Sequence, residues 1–452
     1  MDVQFKNILL VSPPNPFLEN PCSVPRLGLL YLGTILRQYG HGVTIRHLRN
    51  LRELEGLVKK NFDFVGISAT TREYLDAIQI LNYFKREGSQ ATIAIGGAHA
   101  TALPEEALRN GFDIVVTGEA EEKILMLVND PPDRPAIVCA GWVKDINRLP
   151  FPQRDLMGGD ELWRPFLGLG QNHQLRTASI LLSRGCPYAC IFCGPHFNYR
   201  RRSSDNIGAE LEVLYTQGYH GLIIVDELPF TTEQHVRSFC EQIRPFGMKF
   251  RCNFRPDLLN PKIAKLLAEA GCCRLQFGIE SANQTILDRI NKGTQPDANG
   301  RAVEICHEYG LQVKTMFIWG LPDDSPETAQ QIVRWIARYR PDSIQVSMFV
   351  PLPGSPVWQS GYHSRVTDYH TLAFFQNPNL KMPIGLANES LSVKVLETLY
   401  EEILSQCSQL THIDRGLAPE PKEVGQDAIS SFPERCALPK DGRGLNHKCV
   451  QL

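Results

Sequence analysis

The chain has 452 residues, enough for two or three domains with cores of their own. Hydrophobic residues make up 43% and charged residues 21%, the composition of an ordinary globular protein, and a formal net charge of −2 argues against nucleic acid or an anionic membrane as the main partner. No apolar run approaches the roughly 18 residues that span a bilayer, and Ile8–Val11 is too short for a signal-peptide core. The expectation is a cytoplasmic protein whose 13 cysteines are reduced.

Residues 5–130 alternate short apolar strands with amphipathic helices. Strands are expected at Asn7–Val11, Gly42–Arg46, Phe64–Ser68, Thr92–Ile95 and Ile114–Thr117, with helices at Leu29–Gln38, Tyr74–Arg86 and Glu105–Asn110. Nearly all-apolar strands in this alternation imply a doubly wound parallel sheet covered on both faces. Ligands of such sheets lie at the carboxyl ends of the strands. Those ends are Ser12-Pro13-Pro14, Ser68-Ala69-Thr70-Thr71, Gly96-Gly97-Ala98-His99 and Gly118-Glu119. Paired glycines admit a bulky ligand close to the backbone, and the hydroxyls offer hydrogen bonds. His99 reads as a pocket-lining loop residue rather than a metal ligand. A dinucleotide site fits poorly, because no Gly-x-Gly-x-x-Gly follows the first strand.

The domain is expected to end near residue 135, where Pro131, Pro132 and Pro135 cluster, and residues 136–175 read as an extended linker carrying Leu149-Pro150-Phe151-Pro152. Beyond it, residues 176–360 alternate strand and helix again. The six strands fall near Ser179–Ser183, Gly221–Val225, Lys249–Cys252, Arg274–Gly278, Gln312–Ile318 and Ser343–Met348. Helices are expected at Ile207–Gln217, Glu233–Arg244, Pro261–Ala270, Ala298–Tyr309 and Ser325–Arg338. Six such units are too few to close an eight-stranded barrel, so the expected form is an open, partial (β/α)6 barrel of the TIM type with its site on the carboxyl-end loops. Residues 361–452 are expected to hold a small helical cap, with an amphipathic helix over Leu391–Leu410, and a loosely ordered tail.

The first barrel strand leads into Ser183-Arg184-Gly185-Cys186-Pro187-Tyr188-Ala189-Cys190-Ile191-Phe192-Cys193. Three thiolates on one short loop suit an iron–sulfur cube in which one iron keeps an open position. With His196 following, a Cys3His zinc site is the alternative on spacing alone. Other strand ends carry Asp226-Glu227, Asn253-Phe254-Arg255, Gly278-Ile279-Glu280-Ser281, Asp323-Asp324 and Pro351-Leu352-Pro353-Gly354.

The Cys-x3-Cys-x2-Cys spacing, the preceding Ser-Arg-Gly and the aromatic before the third cysteine resemble the signature of the radical S-adenosylmethionine enzymes. Gly278–Ser281 is similar to the family's Gly-Ile-Glu-Ser segment. Pro25-Arg26-Leu27-Gly28-Leu29-Leu30-Tyr31-Leu32, Gly96-Gly97-Ala98-His99-Ala100-Thr101 and Gly118-Glu119-Ala120-Glu121 resemble the cobalamin-binding domain that precedes the radical core in one subfamily. Leu149–Pro152 with Arg154-Asp155-Leu156 is similar to that subfamily's domain junction. The resemblance implies a Rossmann-like cobalamin domain, then the partial barrel. It further implies a [4Fe–4S] cluster on Cys186, Cys190 and Cys193, and S-adenosylmethionine contacts from Phe192, Asp226, Glu227, Arg255, Glu280 and Ser281. Cobalamin contacts would come from Pro14, Leu27, Gly28, Ser68, Ala69, Thr70, Gly96, Gly97, His99, Gly118 and Glu119. Two departures stand out. No Asp-x-His-x-x-Gly supplies a lower axial histidine, and Gly320-Leu321-Pro322-Asp323-Asp324 stands where the family usually has Gly-x-Pro-Gly-Glu, with Asp323-Asp324 the departure.

The activity so implied is methylation of an unactivated carbon of a small molecule or natural-product intermediate, through methylcobalamin and a 5′-deoxyadenosyl radical. An electron donor such as flavodoxin or ferredoxin is the implied partner. A radical rearrangement, ring contraction or cyclisation without methyl transfer is the second reading, and a non-catalytic zinc- or cobalamin-binding protein the third.

Overall fold

The computed structural model describes residues 4–15, 26–132, 135–158, 175–194, 198–361, 369, 388 and 390–414. The tail beyond Asp414, with Cys436 and Cys449, and the residues Cys22 and His196 lie outside the described residues.

The first sheet is built from β1 (Asn7–Ser12), β2 (Gly42–His47), β3 (Phe64–Ser68), β4 (Thr92–Gly96), β5 (Ile114–Gly118) and β6 (Ala136–Gly141). All pairings are parallel, in the order β2-β1-β3-β4-β5-β6. The helices between them are α1 (Leu27–Gln38), α2 (Glu55–Val58), α3 (Tyr74–Arg86), α4 (Ala98–Ala102), α5 (Pro104–Arg109) and α6 (Ile124–Asn129). Alternate strand residues feed two separate cores. Leu9, Val11, Val65 and Ile67 pack with α3 on one face, while Ile8, Leu10, Phe64 and Val116 pack with α1 and α6 on the other. This is the doubly wound arrangement that the apolar strands demand. β6 lies in the stretch read from sequence as linker, because its partly exposed edge position left no long apolar run to recognise.

Local signals set the helices. α3 starts behind a capping box in which the Thr70 N–H donates to Glu73 Oε2 at 2.9 Å, and it buries Tyr74, Ala77, Ile80, Leu81 and Phe84 at helical spacing. Glu73 also pairs with Arg26 at the start of α1, joining two of the strand-end loops.

The second sheet takes β7 (Thr177–Ile180), β10 (Gly221–Ile224), β11 (Lys249–Phe254), β12 (Cys272–Glu280), β13 (Gln312–Trp319), β14 (Ser343–Met348) and β15 (His412–Ile413), parallel and in chain order. A two-stranded antiparallel hairpin, β8 (Ser183–Arg184) with β9 (Arg200–Arg201), brackets the cysteine loop. The outer layer holds α7 (Ser204–Thr216), α8 (Glu233–Ile243), α9 (Pro261–Glu269), α10 (Gln284–Arg289), α11 (Pro296–Glu308) and α12 (Pro326–Tyr339). The short α13 (Pro356–Gln359) follows β14. Six βα units therefore form the partial barrel, and β15 adds a two-residue seventh strand that pairs with β14. Odd and even strand residues again divide: Phe250, Cys252, Phe254, Leu275, Phe277, Val313 and Phe317 face the helices in one large core.

The amphipathic segment near the end is α14 (Val393–Cys407), which packs its Leu396, Tyr400, Ile403 and Leu404 onto the barrel. Trp319 Nε1 donates to the Leu396 carbonyl at 3.0 Å and Tyr400 donates to the Val346 carbonyl at 3.1 Å. The middle of the linker is fastened to both domains. Gln153 N–H reaches Thr34 Oγ1 at 2.9 Å, and Arg154 reaches the Ser179 carbonyl at 2.7 Å and Glu210 at 3.0 Å. Among the described cysteines, Cys139 on β6 is disulfide-bonded, which corrects the expectation that all are reduced. The remaining described ones form no disulfide. No helix among the described residues is long and apolar enough to cross a membrane.

Candidate active site

The cysteine loop follows β7 at the carboxyl end of the barrel. Its entry is fixed by Asp226, at the end of β10. The Asp226 carboxylate is 0% exposed and accepts from the Leu182 N–H at 3.0 and 3.1 Å, from the Ser183 N–H, and from Ser183 Oγ at 2.6 Å. Burial pushes this carboxyl up to about 7. Asp226 thus braces the loop, and its oxygens are taken up by that task. Glu227 beside it is exposed.

The rest of the loop leans on the end of α10 and on α13. The Ile191 N–H donates to the Ile290 carbonyl at 3.1 Å, Asn291 Nδ2 donates to the Ala189 carbonyl at 2.9 Å, and the Val357 N–H returns to the Ile191 carbonyl at 3.2 Å. Phe192 packs with Ile286, Leu287, Ile290 and Leu321 in a small apolar cluster beneath the loop. Arg255 lies 3.6 Å over the Tyr188 ring, and its guanidinium donates to both Asp257 oxygens at 3.0 and 3.1 Å and to the Lys292 carbonyl at 3.0 Å. It stiffens the loop through Tyr188 rather than presenting a free fork to a carboxylate.

Cys186, Cys190 and Cys193 all carry free thiols, with Cys190 buried and Cys193 exposed. Burial raises the Cys190 thiol, and Glu280 and Cys186 add to it while Lys292 opposes. Burial likewise pushes the Cys193 thiol up to about 12, with Cys190 and Glu280 next in effect. Since the residue keeps an open surface, the crowding of thiols and carboxylate is the firmer part of that cause. The Cys190 and Cys193 thiols give up their protons readily only to a bound metal.

Glu280 sits at a break in register between β12 and β13, at φ +64. It faces Lys292 Nζ at 2.7 Å, a pair almost fully buried. Burial works against the Lys292 charge, but Glu280 outweighs it and holds the ammonium above its usual range. Ser281 is buried and accepts from the Asn283 N–H at 3.2 Å. Sequence reasoning missed Lys292, because a lysine in the turn Asn291-Lys292-Gly293 reads as a solvated side chain. Asp324, the departure after the fifth strand, is also buried. It accepts from the Gly320 and Leu321 N–H groups, both at 2.8 Å, and from Thr328 Oγ1 at 2.9 Å, so it closes its own loop.

In the first domain, Gly97 (φ +96) lets the β4 loop pass so close to Ala69 that a Cβ would lie 2.8 Å from its carbonyl oxygen. The Thr70 backbone is held by Glu73. Ser68 and Gly96, the ends of β3 and β4, are partly open, as is Pro14. Leu27 is buried at the head of α1, while a Cβ on exposed Gly28 would meet nothing within 4 Å. Gly118 (φ +86) donates its N–H to Thr101 Oγ1 at 3.1 Å. His99 does not line this edge. It is 0% exposed, stacked on Tyr74 at 3.6 Å with Tyr369 at its edge, and burial drives its pKa down to about 3.

Glu119 is likewise engaged. Arg200 of β9 holds it with two hydrogen bonds, at 2.7 and 2.8 Å, Arg184 of β8 approaches to 3.3 Å, and the Val143 N–H donates at 2.8 Å. Arg184 also reaches Glu121 at 2.7 Å. The end of β5 is therefore fastened to the hairpin bracketing the cysteine loop, and the carboxyl ends of the two sheets meet. Val350 and Trp358 of the barrel and Tyr369 pack into the first domain's core, completing that junction.

Residues 180–336 match the family described as the radical SAM superfamily, and residues 22–128 match the B12 binding domain. The chain belongs to the cobalamin-binding radical S-adenosylmethionine enzymes. This enzyme is 28% identical over 392 residues to an uncharacterized methyltransferase of Pyrococcus horikoshii, covering 78% of this chain and 82% of that one. It is 27% identical over 344 residues to the anaerobic magnesium-protoporphyrin IX monomethyl ester cyclase of Rubrivivax gelatinosus, covering 69% of this chain and 61% of the relative. In fold it resembles the radical S-adenosylmethionine methyltransferase TsrM of Kitasatospora setae, with a TM-score of 0.59 at 18% identity over 78% of this chain and 77% of that one.

The cofactors of the radical S-adenosylmethionine enzyme are accordingly a [4Fe–4S] cluster, S-adenosylmethionine and cobalamin. The residues present fit them. Three free thiols crowd one braced loop, and the open glycine at Gly28 and the close-packed Gly97 shape a cradle at the facing edge. The sealed His99 agrees with the missing axial-histidine motif.

Proposed function

We propose that this enzyme methylates an unactivated carbon of a small molecule. The observation carrying this reading is the junction itself: a loop of three free cysteines, fastened by Arg184 and Arg200 to Glu119 and Glu121 at the ligand edge of a B12-type sheet. When bound, the cluster supplies the electron that cleaves S-adenosylmethionine, and cobalamin supplies the methyl group. The chain's own part is to hold and to exclude. Cys186, Cys190 and Cys193 would hold the cluster, and Asp226 and Arg255 keep their loop in place. Glu280, paired with Lys292, presents a carboxylate toward the S-adenosylmethionine end of the barrel. The exposed Glu227 offers a second acceptor there. Val350 and Trp358, packed against the first domain's core, would help to keep water out of the junction.

The relation to a methyltransferase over most of both chains supports methyl transfer. The relation to a cyclase keeps one second reading, ring closure without methyl transfer. A reduced, anaerobic preparation given S-adenosylmethionine and candidate small-molecule substrates decides between them. S-adenosylhomocysteine formed in step with 5′-deoxyadenosine and a product heavier by one methyl group is expected. 5′-Deoxyadenosine and product without S-adenosylhomocysteine would overturn methyl transfer in favour of cyclisation. An electron donor of the flavodoxin or ferredoxin type and a cytoplasmic location belong to the same proposal.

A further inference from the structure

The helix-facing residues of β11, β12 and β13 leave Arg251, Arg274 and Lys314 on the opposite face, toward the inside of the partial barrel. Strand register places them side by side near the amino ends. Arg251 pairs with Arg274, and Lys314 pairs with Gln276, two residues further along β12. Three cations thus line one layer of the barrel interior, about 13 Å below Arg255 along β11 by strand rise.

Their partners do not balance them. Lys314 Nζ has Asp414 at 2.7 Å. Arg251 donates through one terminal nitrogen to Gln276 Oε1 at 2.5 Å, and Arg274 donates to Ser343 Oγ. Both of these acceptors are neutral. Asp342, the other acid whose charge Arg274 feels, is held by the Val313 N–H at 2.7 Å and lies 3.2 Å from His307. Arg274 is 2% exposed, and the Nε atoms of Arg251 and Arg274 are buried with no partner among the described residues. Burial pushes Arg251 down to about 10, with Arg274 beside it adding to the effect. Buried Arg274 and half-buried Arg251 keep unmet Nε donors, and three cations face only Asp414 and Asp342, so donor capacity remains for a further negative oxygen ligand.

We propose that Arg251, Arg274 and Lys314 form an oxyanion site in the floor of the barrel that takes a carboxylate or phosphate group. Guanidinium forks suit planar or tetrahedral oxyanions, and Gln276, Asn253 and Ser343 supply the polar rim. The group is either a free small anion or the far end of a molecule threading the barrel toward the cysteine loop. The site does not depend on whether methyl is transferred above it.

Isothermal titration calorimetry of the full chain at constant ionic strength tests it, with inorganic phosphate and hexyl phosphate as probes. Saturable binding is expected, weakened at least tenfold in Arg274→Gln and in Arg251→Gln. Hexyl phosphate binding tighter than inorganic phosphate points to a threaded molecule; equal affinity points to a free ion. Arg251→Gln decides the matter if Arg274→Gln does not fold, since Arg251 is only partly buried by its neighbours. Absence of saturable binding to the native chain, or binding unchanged in the folded variants, overturns the site.

Discussion

Glu119 takes Arg200 with both carboxylate oxygens, at 2.7 and 2.8 Å, and so locks the last ligand-edge loop of the first sheet to the strand that leaves the cysteine loop. The two side chains are 13% and 12% exposed, so neither charge is well solvated if its partner is lost. Glu119→Gln is expected to cost about 3 kcal/mol in denaturant unfolding of the cofactor-free protein. A double-mutant cycle with Arg200→Met should show a coupling of at least about 1 kcal/mol. Strictly additive single effects would mean that the pair is not what joins the domains.

Asp226→Ala removes the acceptor for the Leu182 and Ser183 N–H groups and for Ser183 Oγ. Those donors are buried, so about 2–3 kcal/mol of stability goes with them. The loop they anchor should then retain less iron after anaerobic reconstitution, with Asp226→Asn falling between the variant and the native chain. Full iron retention in the alanine variant would show that the loop holds its shape without this brace.

Lys292→Met leaves Glu280 buried and uncompensated. S-adenosylmethionine binding is expected to weaken about tenfold, the effect of ~1.4 kcal/mol, while the three cysteines keep their iron. Calorimetry of the reconstituted protein reads the affinity, and an iron assay of the same sample reads the integrity of the loop. Unchanged affinity would remove the Glu280–Lys292 pair from the binding site.

Burial raises the Asp324 carboxyl from 3.8 to about 7, so the folded protein prefers it protonated. A raised carboxyl favours the folded state most below the unfolded value and loses that advantage as pH climbs toward the folded one. The stability lost in Asp324→Asn should therefore be larger at pH 5 than at pH 8, with the gap narrowing by up to a few kcal/mol. Chemical denaturation of both proteins across that range checks the sign. A gap that widens with pH would contradict it.

The strand frame was legible because its segments are short, apolar and bounded by turn residues. Phe64–Ser68, Tyr74–Arg86 and Ser343–Met348 match the expected ranges residue for residue. β6 and β15 were not, since an edge strand of six residues and a two-residue strand carry too little periodicity. The cysteine loop was legible for a different reason: ligand spacing is written along the chain. What side chains do at the strand ends was not, because partners arrive from far away in sequence. Asp226 and Arg255 read as groups open to a ligand, yet each is spent on the loop, through Ser183 in one case and Tyr188 in the other. Glu119 finds Arg200 from another domain, 81 residues away, and His99 is sealed by Tyr74 and Tyr369. Nothing in the local sequence around Lys292 separates it from a solvated lysine.

The most direct test is strictly anaerobic reconstitution with iron, sulfide and hydroxocobalamin, followed by counting bound iron and cobalamin and assaying 5′-deoxyadenosine after S-adenosylmethionine and reductant are added. About four irons, one cobalamin and 5′-deoxyadenosine that disappears in Cys190→Ala are predicted. Iron and 5′-deoxyadenosine with no cobalamin bound would contradict the role given to the first domain, and zinc at the cysteine loop with no iron or sulfide would contradict the account as a whole.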